Sequence, residues 1–174
     1  MNSNHVLIIT ALTLLLSIAP ITAAVAAGCE GGLLQNETVD GNLRITDDSC
    51  SVIGSTIKGD LIVLNADHVL LLNNKVGGVI RVDGNAGFGT ANVVANTVFG
   101  GRLVVRDHQN ANVIENETLN AERGNIRVIN NVKALVQKNI AARNLNCRGN
   151  TDIDEFVNFA LGEMTGQCAP PESP

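Results

Sequence analysis

A glycine followed by two aliphatic residues one position apart recurs six times along this chain. The copies read Gly41-Asn-Leu-Arg-Ile45, Gly59-Asp-Leu-Ile-Val63, Gly78-Val-Ile-Arg-Val82, Gly101-Arg-Leu-Val-Val105, Gly124-Asn-Ile-Arg-Val128 and, with arginine replacing the glycine, Arg143-Asn-Leu-Asn-Cys147. Their last residues lie 18, 19, 23, 23 and 19 positions apart. A period near twenty belongs to stacked supersecondary units, each too small to bury its apolar face alone. The pattern therefore predicts a parallel β-solenoid.

A second column precedes each glycine. Asn36, Ser55, Asn73, Asn96, Asn116 and Asn139 follow short aliphatic strands, and an Asn amide can bond both its own turn and the equivalent Asn one rung away. Asn also tolerates the left-handed backbone of a sharp bend. Another aliphatic, Val39, Ile57, Val76, Val98, Leu119 or Ile140, comes next, ahead of the glycine. In the Gly strands, alternation sends Leu43/Ile45, Leu61/Val63, Ile80/Val82, Leu103/Val105 and Ile126/Val128 inside. Arg44, Ile62, Arg81, Val104, Arg127 and Asn146 then form an outward column. Asp83 to Thr90 and Asp107 to Asn110, rich in Gly, Asn and Asp, read as loops.

The first 27 residues carry no Asp, Glu, Lys or Arg, and Val6 to Ala19 is an almost unbroken apolar run before Pro20 and Ala23-Ala-Val-Ala-Ala27. This has the form of a cleaved secretory leader rather than a membrane span, although the n-region lacks the usual basic residue. The rest of the chain keeps the full net charge of −5, which argues against nucleic acid and anionic membrane as partners. Four cysteines in an exported chain suggest two disulfides. Cys29 with Cys50 and Cys147 with Cys168 are each 21 residues apart, at the two ends of the repeat; a bridge closing such a loop is worth about 3 kcal/mol. Ala26-Ala-Gly-Cys29 also resembles a lipobox, an alternative that would orphan Cys50.

Past the last copy, Ile153, Phe156, Val157, Ala160, Leu161 and Met164 fall at i, i+3, i+4, i+7, i+8 and i+11. They predict an amphipathic helix over 151–168, capped by Thr151 and covering the final rung. The organisation expected is thus a leader at 1–27, a β-helix with an N-terminal disulfide cap at 28–150, a capping helix at 151–168 and a disordered tail at 169–174. The fold class is all-β, a single-domain parallel β-helix of about six rungs.

These features resemble the secreted right-handed parallel β-helix proteins of bacteria, over roughly Asn36 to Cys147. The resemblance implies a right-handed coil and an exported, cell-surface or periplasmic location. It does not choose among the polysaccharide lyases and hydrolases, adhesins and tailspikes that share the architecture.

The residues themselves offer little chemistry. Asn150-Thr-Asp152 superficially matches an acidic polygalacturonase-type motif but lies beyond the last copy, and Asp47-Asp48 reads as turn chemistry. Asp107-His108 could pair a base with a carboxylate, but neighbours on an extended strand point to opposite faces. No zinc or calcium spacing occurs, so no catalytic residue, metal or cofactor is assigned. Asn36 and Asn116 match the N-glycosylation sequon but belong to the ladder column. Arg44, Arg81 and Arg127 remain as a sparse basic stripe suited to an acidic glycan or a surface protein. Phe88 and Phe99 are the two aromatics outside the expected helix. The sequence thus favours an exported, non-enzymatic, monomeric binding or structural module. A small polysaccharide-active enzyme and a filament-forming subunit are the alternatives.

Overall fold

The computed structural model describes Cys29, residues 32–46 and residues 48–170. The expected leader over 1–27, Asp47, and residues 171–174 of the tail lie outside the described residues. The described chain coils through seven rungs of parallel strands. Rung 1 is β1 (Leu33–Gln35), β2 (Thr38–Val39) and β3 (Leu43–Ile45); rung 2 is β4 (Ser49–Ile53), β5 (Thr56–Ile57) and β6 (Leu61–Leu64). Rung 3 is β7 (His68–Leu72), β8 (Lys75–Val76) and the start of β9 (Ile80–Val94), whose remainder opens rung 4 with β10 (Thr97–Val98) and the start of β11 (Leu103–Ile114). The rest of β11, β12 (Glu117–Thr118) and β13 (Ile126–Ile129) form rung 5. β14 (Lys133–Gln137), β15 (Ile140–Ala141) and β16 (Leu145–Arg148) form rung 6, and β17 (Asp152–Phe156), β18 (Phe159–Ala160) and β19 (Met164–Gly166) form rung 7. The short middle strands make one seven-stranded sheet, and all the others belong to a twelve-stranded sheet.

The repeat register is the one the alternation dictates. Leu43, Leu61, Ile80, Leu103, Ile126 and Leu145 lie on successive rungs, as do Ile45, Val63, Val82, Val105, Val128 and Cys147, and all are buried. Together with Val52, Leu71, Val93, Val113 and Val136 from the first strands they fill a narrow apolar interior.

The bends are held by asparagines. At the first corner Asn74, Asn96, Asn116, Asn139 and Asn158 stack, each Nδ2 donating to the next Oδ1 at 2.9, 3.0, 3.1 and 3.0 Å. The same amides also donate to carbonyls of the preceding rung, as Asn116 does to Val93 at 2.7 Å. Ser55 ends the column: its Oγ accepts the Glu37 N–H at 3.2 Å, and its own backbone N–H donates to Asn74 Oδ1 at 2.9 Å. The ladder differs from expectation at two places. Asn36 and Asn73 stand one residue upstream, in the left-handed position with φ of 55°. Gly54, Ala95, Glu115, Lys138 and Val157 occupy that same bend position on other rungs, all with positive φ. Asn73-Asn74 offers two amides, and the bend selects the second because the first must turn the chain. Asn36 is consequently exposed, while Asn116 is buried.

The C-terminal capping helix is not present. Residues 152–166 form a seventh rung, with β17 pairing β14, β18 pairing β15 and β19 pairing β16. The solenoid therefore runs past 150, to Gly166. Rung 6 presents a row of unpaired backbone groups, and a strand satisfies them where a helix laid across would not. Strand periodicity then leaves Phe156, Val157 and Leu161 53%, 82% and 70% exposed, residues the helix would have turned inward. The same rule sets the facing of the middle strands at rungs 5 and 6. Thr118 and Ala141 face the core, and Leu119 and Ile140 are exposed. The two predicted loops are also absorbed into strand, because β9 and β11 continue through their corners.

Among the described residues no element covers the outer edge of rung 7. That edge is blunted by charge instead. Glu155 occupies the inward column below Val136, half-buried, and accepts from Asn158 Nδ2 at 3.0 Å. Asp152 and Asp154 lie on the same strand. An inward-pointing carboxylate on an edge strand opposes further strand addition. Both predicted disulfides are formed, Cys29–Cys50 and Cys147–Cys168, with Cα separations of 5.8 and 5.2 Å. The second fastens the end of rung 7 rather than a helix.

Ile126→Asp buries an unpaired carboxylate at a position with no solvent exposure, costing several kcal/mol and so most of a domain's stability. Arg127→Asp on the outward face should leave the thermal midpoint within a few degrees; equal tolerance of both would refute the register. At the open end, Glu155→Val should add concentration-dependent self-association relative to the parent by sedimentation velocity, and an unchanged distribution would show that the carboxylate is not what guards the edge.

Candidate functional site

The outward column is assembled as expected. Strand register aligns Arg44 with Ile62, Ile62 with Arg81, Arg81 with Val104, Val104 with Arg127 and Arg127 with Asn146. Arg44, Arg81 and Arg127 thus recur on rungs 1, 3 and 5, about 10 Å apart at one strand spacing of about 4.8 Å per rung. They differ in how free they are. Arg81 is bound to Asp83 two residues along the same strand, Nε to Oδ2 at 2.8 Å. Arg44 and Arg127 are exposed and make no ion pair among the described residues.

Asp83 is a residue that sequence reasoning left in a loop. It is 7% exposed and sits on β9 opposite Arg106 of β11. Arg106 approaches it with two parallel hydrogen bonds, Nε to Oδ1 and Nη2 to Oδ2, both 2.8 Å. Burial opposes ionisation of Asp83, but the bonds from Arg106 and Arg81, and then their charges, outweigh it and hold the carboxyl below its usual range. The same contact raises the Arg106 guanidinium above its usual value, against a smaller opposing effect of burial. A carboxylate clamped by two guanidinium groups has its lone pairs committed. It stabilises the corner between rungs 3 and 4 and is poorly disposed to move protons.

His108 is the other hidden group. Asp107 takes the left-handed position with φ of 63°, which turns His108 into the core with no solvent exposure. Its backbone N–H donates to Asn131 Oδ1 at 3.0 Å. This is the foot of a second ladder, in which Asn131 Nδ2 donates to Asn150 Oδ1 at 3.0 Å and Asn150 Nδ2 to Gln167 Oε1 at 3.1 Å. The imidazole stands where an asparagine would continue that ladder. Neither ring nitrogen has a hydrogen-bond partner in acceptable geometry. Burial pushes the imidazole below its ordinary value, while the nearby Val82 carbonyl and the Asp107 and Asp83 charges oppose that shift. Asp107 itself lies 3.6 Å from Arg106, and the left-handed bulge at Asp107, which interrupts the strand alternation, splits the Asp107-His108 dipeptide between surface and core.

The remaining sequence candidates do not converge. Asn150 belongs to the second ladder and Asp152 to the edge strand β17. Phe88 lies in the twelve-stranded sheet and Phe99 beside the seven-stranded one, 68% and 48% exposed. Among the described residues no three His, Cys, Asp or Glu side chains are grouped to hold a metal ion. Asp83 and Arg106 are 23 residues apart in sequence, one enlarged rung, so only the register could have paired them.

Compared with known proteins, the chain matches no family model, no curated protein and no solved structure.

The buried imidazole makes stability depend on pH. Its folded-state value is lowered relative to the ordinary 6.5, so the unfolded chain takes up the proton first and stability falls as pH drops below about 6.5. His108→Asn removes the titrating group and can extend the ladder to Asn131. Urea midpoints measured from pH 8 to 5 should decline for the parent and stay flat for H108N; parallel curves would assign the acid sensitivity elsewhere.

Proposed function

We propose that the protein is an exported, non-enzymatic β-solenoid that binds an acidic glycan or a surface protein through its outward arginine face, at the cell surface or outside the cell. The observation that carries this reading is the register that stacks Arg44, Arg81 and Arg127 in one column of a coil fastened at both ends by disulfides. Such a scaffold holds charges at fixed separations without the entropic cost of ordering them on binding. Two disulfides are compatible with an oxidising, extracellular setting. The chain's strongest carboxylate–arginine contact is saturated within itself, and its buried imidazole is sealed from solvent, which supports binding over catalysis.

Column charges act through a solvent-exposed field and should be screened by salt. Because Arg81 also neutralises Asp83, the discriminating variant is Arg44→Gln with Arg127→Gln. Retention on an immobilised anionic polysaccharide should fall in that double variant and in high salt, with the thermal midpoint unchanged. The same protein should release neither reducing ends nor unsaturated products from pectate, alginate, hyaluronan or chitin, with or without calcium. Turnover of any of these would replace the binding reading with the enzymatic one.

A further inference from the structure

The corner that precedes the Arg column carries a third, exposed ladder. Asn42 Oδ1 accepts the Asp60 N–H at 2.8 Å and Asp60 Oδ1 the Val79 N–H at 2.9 Å. Further along, Asn125 Oδ1 accepts the Asn144 N–H at 3.2 Å and Asn144 Oδ1 the Glu163 N–H at 3.0 Å. Between the two runs the ladder stops. Rung 3 offers Val79 and rung 4 offers Arg102, neither of which has a side-chain acceptor. The Arg102 N–H is left without the partner its counterparts have, and Asn125 turns its own N–H to the Arg123 carbonyl at 2.7 Å instead.

A pocket of about 340 Å³ opens at this interruption, lined by Val79, Gly100, Gly101, Arg102, Glu122, Arg123, Asn125 and Arg143. Its wall is built rather than loose. Asn120 Oδ1 accepts the N–H groups of Glu122 and Arg123 at 3.0 and 2.9 Å, and Thr118 Oγ1 donates to the Gly124 carbonyl at 2.8 Å. Arg143 Nη1 donates to the Glu122 carbonyl at 2.7 Å, which aims the guanidinium while leaving most of its five donors unused. On the floor, a side chain at Gly100 would run into the Gly77 carbonyl, so that wall of the pocket is bare backbone. Arg102, Arg123 and Arg143 have no ion pair among the described residues, and Glu122 is the single carboxylate facing them. An unpaired cluster of three guanidinium groups is unexpected on a chain of net charge −5.

We propose that this corner pocket is an oxyanion-binding subsite that receives the carboxylate or sulfate ester of one sugar unit of an acidic glycan. The proposal rests on the binding-module reading and extends it. Arg102 lies two residues before Val104, on the same outward face as Arg81 and Arg127 and about 7 Å from their column. The pocket volume sits at the small end of ligand sites, enough for a single ring, and the column repeats at about 10 Å, a spacing comparable to an acidic disaccharide. A planar guanidinium fork pairs with either a carboxylate or a sulfate. An acidic peptide fits less well, since extended peptides gain affinity by pairing with an open sheet edge, and the strands beside the pocket are already paired on both sides.

Calorimetric titration of the full chain tests this with tetragalacturonate, a heparin-derived tetrasaccharide, neutral chitotetraose, tetraglutamate and sodium sulfate. Either or both anionic sugars should bind. Tetragalacturonate alone would assign uronate carboxylates, and the heparin fragment alone would assign sulfate esters. Arg102→Gln with Arg143→Gln should weaken binding at least tenfold with an unchanged melting curve, while Arg102→Lys, keeping charge but losing the fork, should give an intermediate loss. Equal affinity for chitotetraose, tighter binding of tetraglutamate, or binding by sodium sulfate only would overturn the proposal. If the pocket variants bind as the parent does while Arg44→Gln/Arg127→Gln abolishes binding, the subsite fails and the column reading stands. If the parent binds no anionic sugar, the subsite and the glycan form of that reading fail together.

Discussion

Everything in this molecule depends on the asparagine at the bend. A coil this narrow must reverse direction within two or three residues, and each reversal buries polar backbone beside an apolar interior. The amides of Asn74, Asn96, Asn116, Asn139 and Asn158 meet that demand, bonding the preceding rung's carbonyls and one another along the axis. The bend residue just before each carries positive φ even where it is Ala95, Glu115, Lys138 or Val157. Left-handed backbone is unfavourable for any of these side chains and most costly at β-branched Val157, so the ladder and the core together must compensate for it on these turns.

The architecture was largely legible because the repeat encodes register directly. The glycine copies set which aliphatics share a column, and the structure stacks them in that order. What escaped was resolved by competition between neighbours. Asn73 and Asn74 are chemically identical candidates, and only the need for a left-handed residue ahead of the ladder separates them. At the C-terminus six apolar residues fit a helical stripe, yet Gly162-Glu-Met164-Thr-Gly166 is a seventh, weakened copy of the strand motif and Asn158 a further ladder residue. A short segment can satisfy both periodicities; the open backbone of rung 6 decided between them, a tertiary demand that no local window contains.

The candidate surface was legible only in part. Three arginines of the column could be numbered from the sequence, because outward positions alternate with the core. Their unequal availability could not, since it depends on Asp83 being reached from Arg106 one rung away. The pocket arginines were invisible for a different reason. Arg102 and Arg143 stand at corners, outside the alternating strands, and Arg123 lies in a turn that lengthens its rung to 23 residues. Insertions at corners leave the register of the strands intact, so function can be varied there at little structural cost.

The two disulfides change how such a rod can come apart. In a stack where each rung touches only its neighbours, the terminal rungs have one partner instead of two, and opening should begin there and propagate as a zipper. Cys29 precedes rung 1 and is tied to Cys50 on rung 2, while Cys147 on rung 6 is tied to Cys168 just past rung 7. Each bridge therefore removes the cheapest first step. Opening must start between two interior rungs, where a single break uncovers two faces at once, and a quasi-one-dimensional polymer is thereby made to behave as one cooperative body.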